Sequence, residues 1–237
     1  MRKSLAALIA ASLVGTAIMA IPAGAKPRHH HHSKARLHLF TSPKDANGDP
    51  TATARWSRLI GSDTPSSPRH RAIRIATDAN PNSNGDPSYA GAVPQHIGIR
   101  NKVLKNVTAL RFDATTDDLT AGAPRLSVKL ADGTFLFLAA FHCHSDLNGK
   151  WSRANFIANA TDCTIYDSAG NSFASDSSST AWAKVLAKYG DLRLKNVFLV
   201  VDEGPKVVYV DDLGFGANGK NYLFAGPNSA TALRVRH

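Results

Sequence analysis

The chain contains almost no glutamate, although aspartate is common. Of its 18 acidic residues, only Glu203 is a glutamate. A glycosidase that uses a pair of glutamates is therefore excluded, whereas an aspartate pair, or an aspartate with Glu203, is still available for acid–base chemistry. Because aspartate favours turns and caps while glutamate favours helices, this imbalance predicts a β protein with many loops.

Cysteine is scarce, and only one long apolar run is present. The two cysteines, Cys143 and Cys163, form an even pair that predicts one disulfide in an oxidising compartment. A free reactive thiol next to the flanking histidines is the alternative. The single long apolar run is Leu5 to Ile21, and no second run is long enough to cross a bilayer.

That apolar run has the features of a cleavable export signal. Arg2 and Lys3 precede the run, and Ala23-Gly24-Ala25 supplies the small residues that a signal peptidase needs. Residues 1–25 are therefore predicted to be a signal peptide, which makes the mature chain a secreted protein beginning at Lys26. A membrane anchor is the alternative, but the run of about 17 residues is short for a membrane span.

The chain is basic, with a net charge of +10. Residues 1–25 carry two cations and no acid, so their removal leaves 10 − 2 = +8. A basic exported chain would meet a polysaccharide or an anionic cell-wall polymer rather than intracellular nucleic acid. Residues 26–50, with His29–His32 and many Pro, Gly and Asn residues, are predicted to be a flexible basic arm.

From residue 51 the sequence has the patterns of strands. Residues 125–130 alternate apolar and polar side chains, Asp132-Gly133 follows, and residues 134–141 are apolar on both faces. These patterns predict a hairpin whose second strand is covered on both sides. A second hairpin is predicted between residues 197–201 and residues 207–210.

One short helix and many short strands together define the expected fold class. Apolar residues recur at i, i+3, i+4 and i+7 from Trp182, which predicts a helix over about 180–189. The remaining pattern predicts an all-β protein, a jelly-roll type β-sandwich over residues 51–216 that is followed by a tail at 217–237.

Several motifs in this region resemble those of known proteins. Residues 197–216 (VFLVVDEGPKVVYVDDLGFG) resemble the last two strands of galactose-binding-like jelly rolls, a group that includes many carbohydrate-binding modules. The wider pattern resembles a group of small secreted actinobacterial proteins without an assigned function. Its motifs are Leu110-Arg111-Phe112-Asp113, Gly122 to Arg125, Phe141-His142-Cys143 and Asp162-Cys163. The resemblance implies a jelly-roll sandwich and leaves the ligand open, because one fold hosts many functions.

His142-Cys143-His144 is a candidate metal-binding motif. In a strand, residues i and i+2 point to the same face, so both imidazoles would be able to bind one metal ion, with Asp146 as an oxygen ligand. The alternative is that both histidines only flank the disulfide and hydrogen-bond to the backbone.

The resemblance also implies a structural calcium ion. In many sugar-binding jelly rolls, an aspartate at the position of Asp211 or Asp212 helps to hold such an ion, with further oxygens from other loops. The polar loop at 78–86 has oxygen-bearing side chains at every second position, although turn formation alone also explains this composition.

Trp151 is the candidate for stacking on a sugar ring. It lies inside the predicted disulfide loop among polar side chains that suit hydroxyl groups, namely Asn148, Lys150, Arg153 and Asn155. The alternative is an aromatic residue packed beneath its own loop.

Three functions are therefore considered. The first is a secreted, non-catalytic sandwich that binds carbohydrate or a cell-surface polysaccharide. The second is a structural or protein-interaction component of the cell envelope or extracellular matrix. The third is a polysaccharide hydrolase or lyase that uses Arg, Lys, His or Tyr as acid and base.

Overall fold

A computed structural model describes residues 35–42, 44–45, 47–57, 62, 71–78, 88–120, 122–158, 163–203, 205–224, 226 and 230–234. These residues belong to one compact unit. The predicted signal peptide, His29–His32 and the polar loop after Asp78 lie outside the described residues.

The described residues form fifteen strands. In chain order they are β1 (Arg36–Ser42), β2 (Ala52–Trp56), β3 (Ile73–Thr77), β4 (Tyr89–Gln95), β5 (Val107–Thr115), β6 (Arg125–Leu130), β7 (Phe135–Ala139), β8 (His144–Asp146), β9 (Trp151–Asn155), β10 (Thr164–Asp167), β11 (Ser172–Ala174), β12 (Leu194–Val201), β13 (Lys206–Ala217), β14 (Lys220–Phe224) and β15 (Ala230–Arg234).

The strands assemble into two antiparallel sheets. The seven-stranded sheet has the order β1-β4-β12-β6-β7-β10-β11. The eight-stranded sheet has the order β15-β14-β13-β5-β9-β8, and β3 and β2 extend it next to the first half of β13. Between β4 and β13 the chain passes repeatedly from one sheet to the other, and the predicted all-β sandwich is confirmed.

A single hydrophobic core fills the space between the sheets. Leu126 and Leu136 reach it from the seven-stranded sheet, while Phe112 and Phe215 reach it from the eight-stranded sheet, and all four are fully buried. Successive strand residues point to opposite faces, so the period-two pattern of the sequence brings one apolar set inward from each sheet.

The helix α1 (Ala181–Tyr189) lies where it was predicted. Thr180 caps its start by accepting a hydrogen bond from the Ala183 backbone amide at 3.1 Å. Its apolar stripe, which includes Trp182 and Val185, is buried in the core. At its other end, Tyr189 packs against Phe173 of β11 with ring centroids 6.0 Å apart.

One of the two predicted hairpins is present and the other is absent. β6 and β7 pair through a turn at Asp132-Gly133, in which Gly133 has a φ of +95°. The second prediction is wrong, because β12 and β13 belong to different sheets. The chain between β12 and β13 therefore connects the two sheets rather than two paired strands.

Strand pairing continues past both boundaries that the sequence indicated for the sandwich. β1 lies within the predicted arm of residues 26–50 and pairs with β4 along its full length. β14 and β15 lie within the predicted tail and extend the sheet beyond β13.

The predicted Cys143–Cys163 disulfide is confirmed. It links the segment before β8 in one sheet to the segment before β10 in the other. Within the described residues, no helix has the length and apolar character needed to cross a membrane.

Candidate functional site

The predicted sugar-binding residues do not surround an open aromatic ring. Trp151 is only 1% exposed, so its ring has no open face for a ligand. Asn148 turns its side chain back onto its own loop, where Oδ1 accepts hydrogen bonds from the backbone amides of Lys150 at 3.2 Å and Trp151 at 2.9 Å. Asn155 accepts one from the Ala158 amide at 3.1 Å. The burial of Trp151 agrees with the alternative, an aromatic residue packed beneath its own loop.

Arg153 binds a buried carboxylate. Its Nε and Nη2 donate to the two Asp113 oxygens at 2.7 and 2.8 Å, and Nη2 lies 3.5 Å from Asp212 Oδ2. Asp113 is fully buried, and the bidentate hydrogen bonds to it raise the pKa of the arginine. Arg153 therefore compensates charge within the protein.

Asp211 and Asp212, the predicted calcium ligands, belong to the same cluster. Asp211 pairs with Asp113 across the sheet, and its Oδ2 accepts hydrogen bonds from the Ser62 amide and hydroxyl at 3.0 and 3.1 Å. Burial raises the pKa of Asp212, and the charges of Asp211 and Asp113 raise it further, against the effect of the nearby arginines.

This cluster does not fit a calcium ion. A guanidinium already lies between two of its carboxylates, whereas calcium needs six to eight oxygen ligands. Among the described side chains, no group of three or more His, Cys, Asp or Glu residues is arranged to hold a metal ion.

The two histidines of the predicted metal motif do not lie on one strand. His142 ends a 3₁₀ turn (Ala140–His142), and β8 begins only at His144. Nδ1 of His144 lies 3.1 Å from the Ala140 carbonyl oxygen and 3.0 Å from that of Phe141, so this nitrogen carries the proton. The strand geometry on which the metal prediction depends is therefore not present, and the His144 contacts match the alternative of backbone hydrogen bonding.

The single glutamate joins two loops. Glu203 accepts a hydrogen bond from the Thr120 hydroxyl, and Lys206 Nζ donates to the same hydroxyl at 2.7 Å and to the Asp118 carbonyl at 3.1 Å. Burial lowers the pKa of Lys206, against the opposing effect of Glu203. These contacts hold residues 118–123 against the connection between β12 and β13.

A set of aromatic rings lies on the outer side of the seven-stranded sheet. The rings come from five of its strands and are Phe40 (β1), Tyr89 (β4), Phe198 (β12), Phe135 and Phe137 (β7), and Tyr166 (β10). We call this surface the aromatic face. Tyr89 and Tyr166 are 37% and 38% exposed, so the surface is open to a ligand.

The strand register places these rings on one side. Leu126 and Val128 of β6 point into the core, so Ser127 between them points outward. Ser127 pairs with Phe137 on one side and with Phe198 on the other, and Tyr166 pairs with Phe137. Ser127 is itself only 2% exposed, so neighbouring side chains cover its hydroxyl.

The rings form two groups across the sheet. Phe40 lies 6.4 Å from both Tyr89 and Phe198, measured between ring centroids. Phe135 and Phe137 are 6.3 Å apart and nearly parallel, at 4° between their planes. The groups are two strand spacings apart, which is about 10 Å.

The aromatic surface continues toward the disulfide. His142 lies 5.8 Å from the Tyr166 ring, and Phe141 lies 5.2 Å from His142. Phe141 is 47% exposed. His142 and Phe141 therefore form an edge of the aromatic face next to Cys143.

Two cations lie over the phenylalanine rings of β7. Arg125 is 5.3 Å from the centroid of Phe137, and Lys129 Nζ is 5.2 Å from that of Phe135. Arg125 forms a bidentate ion pair with Asp202, so its charge is neutralised. Lys129 is exposed, and its charge is available to a ligand.

No protein-family model, no curated protein and no solved structure matches this chain. The resemblance to secreted jelly-roll proteins therefore stays a prediction, and the geometry of the aromatic face has to carry any functional assignment.

The sequence contained a signal for this face. Residues 134–141 are apolar on both faces, a pattern that predicts burial on both sides. In the structure, Leu136 and Leu138 are buried, whereas Phe135 and Phe137 are half-buried on the outer side. The rings on the other strands, such as Phe40 and Phe198, carried no comparable local signal.

Proposed function

We propose that this chain is a secreted, non-catalytic β-sandwich protein that binds a polysaccharide through the aromatic face. The observation that carries the proposal is the open band of rings across the seven-stranded sheet, with Tyr89 and Tyr166 more than one-third exposed. Aromatic rings bind the apolar faces of pyranose rings, and a sheet surface holds such rings at fixed spacings. The jelly-roll resemblance supports the same class of ligand.

The two groups of rings favour a polymer over a single sugar. They lie about 10 Å apart across the strands, so one extended chain of sugar rings would contact both groups. The ring positions are set by antiparallel strand pairing rather than by loops, which reduces the conformational entropy lost on binding.

Binding is tested by retention of the protein on insoluble cellulose, chitin and isolated cell walls. The variants are Tyr166→Ala and Phe137→Ala, which remove rings from the aromatic face. Each is expected to weaken binding roughly two- to thirteenfold, since an aromatic contact contributes about 0.5–1.5 kcal/mol.

The control is Tyr209→Ala, because Tyr209 lies on the outer side of the other sheet, between the buried Val208 and Val210. It should bind as the unchanged protein does. If no polysaccharide retains the unchanged protein, or if Tyr209→Ala weakens retention as much as Tyr166→Ala, the proposal is wrong.

Secretion is tested separately. Expressed in an actinobacterial host, the protein should be recovered from the culture medium, and N-terminal sequencing should begin at Lys26. Recovery in the cytoplasm with residues 1–25 still attached would contradict this part of the proposal.

A second candidate function is the binding of another protein by strand addition. Among the described strands, β1 pairs only with β4, so a seven-residue edge strand has one side without a described partner. A pull-down that recovers one protein partner, with no retention on glycan, would favour this function.

A further inference from the structure

A group of cations lies at one end of the aromatic face. Resting on the proposed polysaccharide binding, we propose that the ligand is an anionic polysaccharide whose carboxylate or phosphate groups bind these cations. The group consists of Arg100, Lys102, Lys129, Arg193 and Lys195, and we call it the basic end.

Backbone pairing brings the basic end together. The amide of Asn101 donates to the Leu194 carbonyl at 2.6 Å, and the amide of Leu194 donates to the Lys102 carbonyl at 2.8 Å. The segment that carries Arg100 and Lys102 is therefore fixed along the start of β12, next to Arg193 and Lys195.

The same strand connects these residues to the aromatic face. Asn196 of β12 pairs with Lys129 of β6, and Lys129 pairs with Phe135 of β7. Arg100 Nη2 donates to Asn196 Oδ1 at 3.1 Å. One row of side chains across the sheet therefore runs from the guanidinium of Arg100 to the ring of Phe135. The amide of Asn196 and the ammonium group of Lys129 lie between them.

The charges of the basic end are not compensated by described carboxylates. Arg193 donates to the Asn101 carbonyl at 2.8 Å, Arg100 donates to an amide, and Lys129 lies over a ring, so all three have neutral partners. Two neighbouring cations differ in this respect. Lys105 pairs with Asp191 at 2.7 Å and Lys188 pairs with Asp167 at 3.2 Å.

Like charges held close together repel each other, and an anionic ligand relieves that repulsion. The outward-facing positions of the described strands of this sheet include no acidic residue. Away from the basic end, the charge of Arg125 is already neutralised by Asp202. The face therefore combines a charged end with a largely neutral aromatic surface.

This arrangement favours an acidic polysaccharide over a single-stranded nucleic acid. A nucleic acid carries one charge on every nucleotide and is bound by cations distributed along the whole groove. Here the cations are concentrated at one end, which suits a polymer whose charged groups are held locally while uncharged rings lie across the aromatic face.

The test compares polygalacturonate with its fully methyl-esterified form, which has the same backbone without the charge. The variant Lys129→Gln/Lys195→Gln removes two charges from the basic end. At low salt it should bind polygalacturonate about tenfold more weakly, and the difference should shrink at about 0.15 M ionic strength because salt screens exposed charges. Binding of the ester should not change.

The matched control is Arg55→Gln/Lys220→Gln, which removes two exposed charges from the eight-stranded sheet. It should bind polygalacturonate within about twofold of the unchanged protein. Equal weakening by both double variants would show that only net charge matters, and it would overturn the inference.

The remaining outcomes separate this inference from the proposed function. If the ester binds as tightly as polygalacturonate and both depend on Tyr166, the anionic preference is wrong while polysaccharide binding stands. Equally tight, equally Lys129-dependent binding of single-stranded DNA or of anionic lipid vesicles overturns the choice of ligand class. If no polysaccharide binds, both proposals fail.

Discussion

The Arg153 side chain is the main positive charge in contact with the buried Asp113. Its guanidinium contacts Asp113 and Asp212, so its removal leaves two buried carboxylates without that partner. Arg153→Met keeps most of the apolar stem and is expected to reduce the free energy of unfolding by about 3 kcal/mol. Urea unfolding at pH 7 measures this loss.

The pH dependence of the same variant gives an independent check. The charge of Arg153 lowers the pKa of Asp212, so in the variant this pKa should rise further in the folded state, and the folded variant takes up a proton that the unfolded chain does not yet bind. Its stability deficit should therefore shrink as the pH falls from 7 toward 4. Lys150→Gln, an exposed change nearby, should cost less than about 0.5 kcal/mol at either pH. A deficit that is constant with pH would contradict the assigned role of Arg153.

Asp167 holds the helix against β10 and β11. Its buried carboxylate accepts hydrogen bonds from Tyr189 Oη at 2.5 Å, Asn171 Nδ2 at 2.7 Å and Lys188 Nζ at 3.2 Å. Asp167→Ala is expected to lower the free energy of unfolding by roughly 3 kcal/mol, because the Tyr189 hydroxyl loses its acceptor. Thermal unfolding followed by circular dichroism measures the change.

Asp167 should also make the protein sensitive to acid. Burial alone would raise the pKa of this carboxyl, but the hydrogen bonds from Tyr189, Asn171 and Lys188 outweigh burial and hold the pKa well below its usual value. A lowered folded-state pKa stabilises the protein above the unfolded pKa of 3.8, and this contribution is lost as the pH falls further. The difference in free energy of unfolding between the unchanged protein and Asp167→Asn should therefore narrow below about pH 4. Asp117→Asn, an exposed change, should cost less than about 0.5 kcal/mol at pH 7.

Among the connections between elements, the disulfide joins the two sheets outside the hydrogen-bonded ladders. It closes a loop with a sequence separation of 20 residues, which restricts the unfolded chain. Replacing both cysteines by serine should reduce the free energy of unfolding by about 3 kcal/mol, as measured by urea unfolding. The single variant Cys143→Ser should cost a similar amount, since the cross-link is lost in both. An unchanged midpoint in urea would contradict this role.

Local signals in the sequence predicted elements well where the contacts that form them are local. The β6–β7 hairpin followed from alternation and from Asp132-Gly133, and Asp132 Oδ1 accepts a hydrogen bond from the Thr134 amide within the turn. The connection at 202–205 has similar residues but joins different sheets. Turn composition describes a reversal of the chain, and it does not determine which strands pair afterwards.

The candidate site was less predictable because exposure depends on contacts between distant segments. Trp151 and Phe137 both alternate with residues that point into the core, and neither pattern shows what covers the outer side. In the structure Trp151 is buried, whereas Phe137 lies on an open surface. The rings of the aromatic face come from five strands that meet only after the sheet has formed.

At the scale of the whole molecule, one core serves both sheets and the helix. Trp182 belongs to this core. Trp151 is buried on the outer side of the eight-stranded sheet, because Ser152 and Ala154, which alternate with the outward residues of β9, point to the inner side. The two tryptophans therefore report on different parts of one packed unit. Because the sheets stabilise each other through shared apolar contacts, neither is expected to remain folded alone.

This expectation is tested with variants that each keep one of the two tryptophans, Trp151 or Trp182, as the fluorescent reporter of unfolding. The variant Trp56→Phe/Trp182→Phe leaves Trp151, and Trp56→Phe/Trp151→Phe leaves Trp182. In each variant, urea unfolding followed by tryptophan fluorescence should have the same midpoint as far-UV circular dichroism of that variant, with the disulfide intact. A fluorescence transition of Trp151 that precedes the loss of β structure would mean that the outer layer of the eight-stranded sheet unfolds independently. Coincident transitions would mean that the aromatic face exists only while the whole sandwich is folded, so a ligand bound there should stabilise every part of the molecule equally.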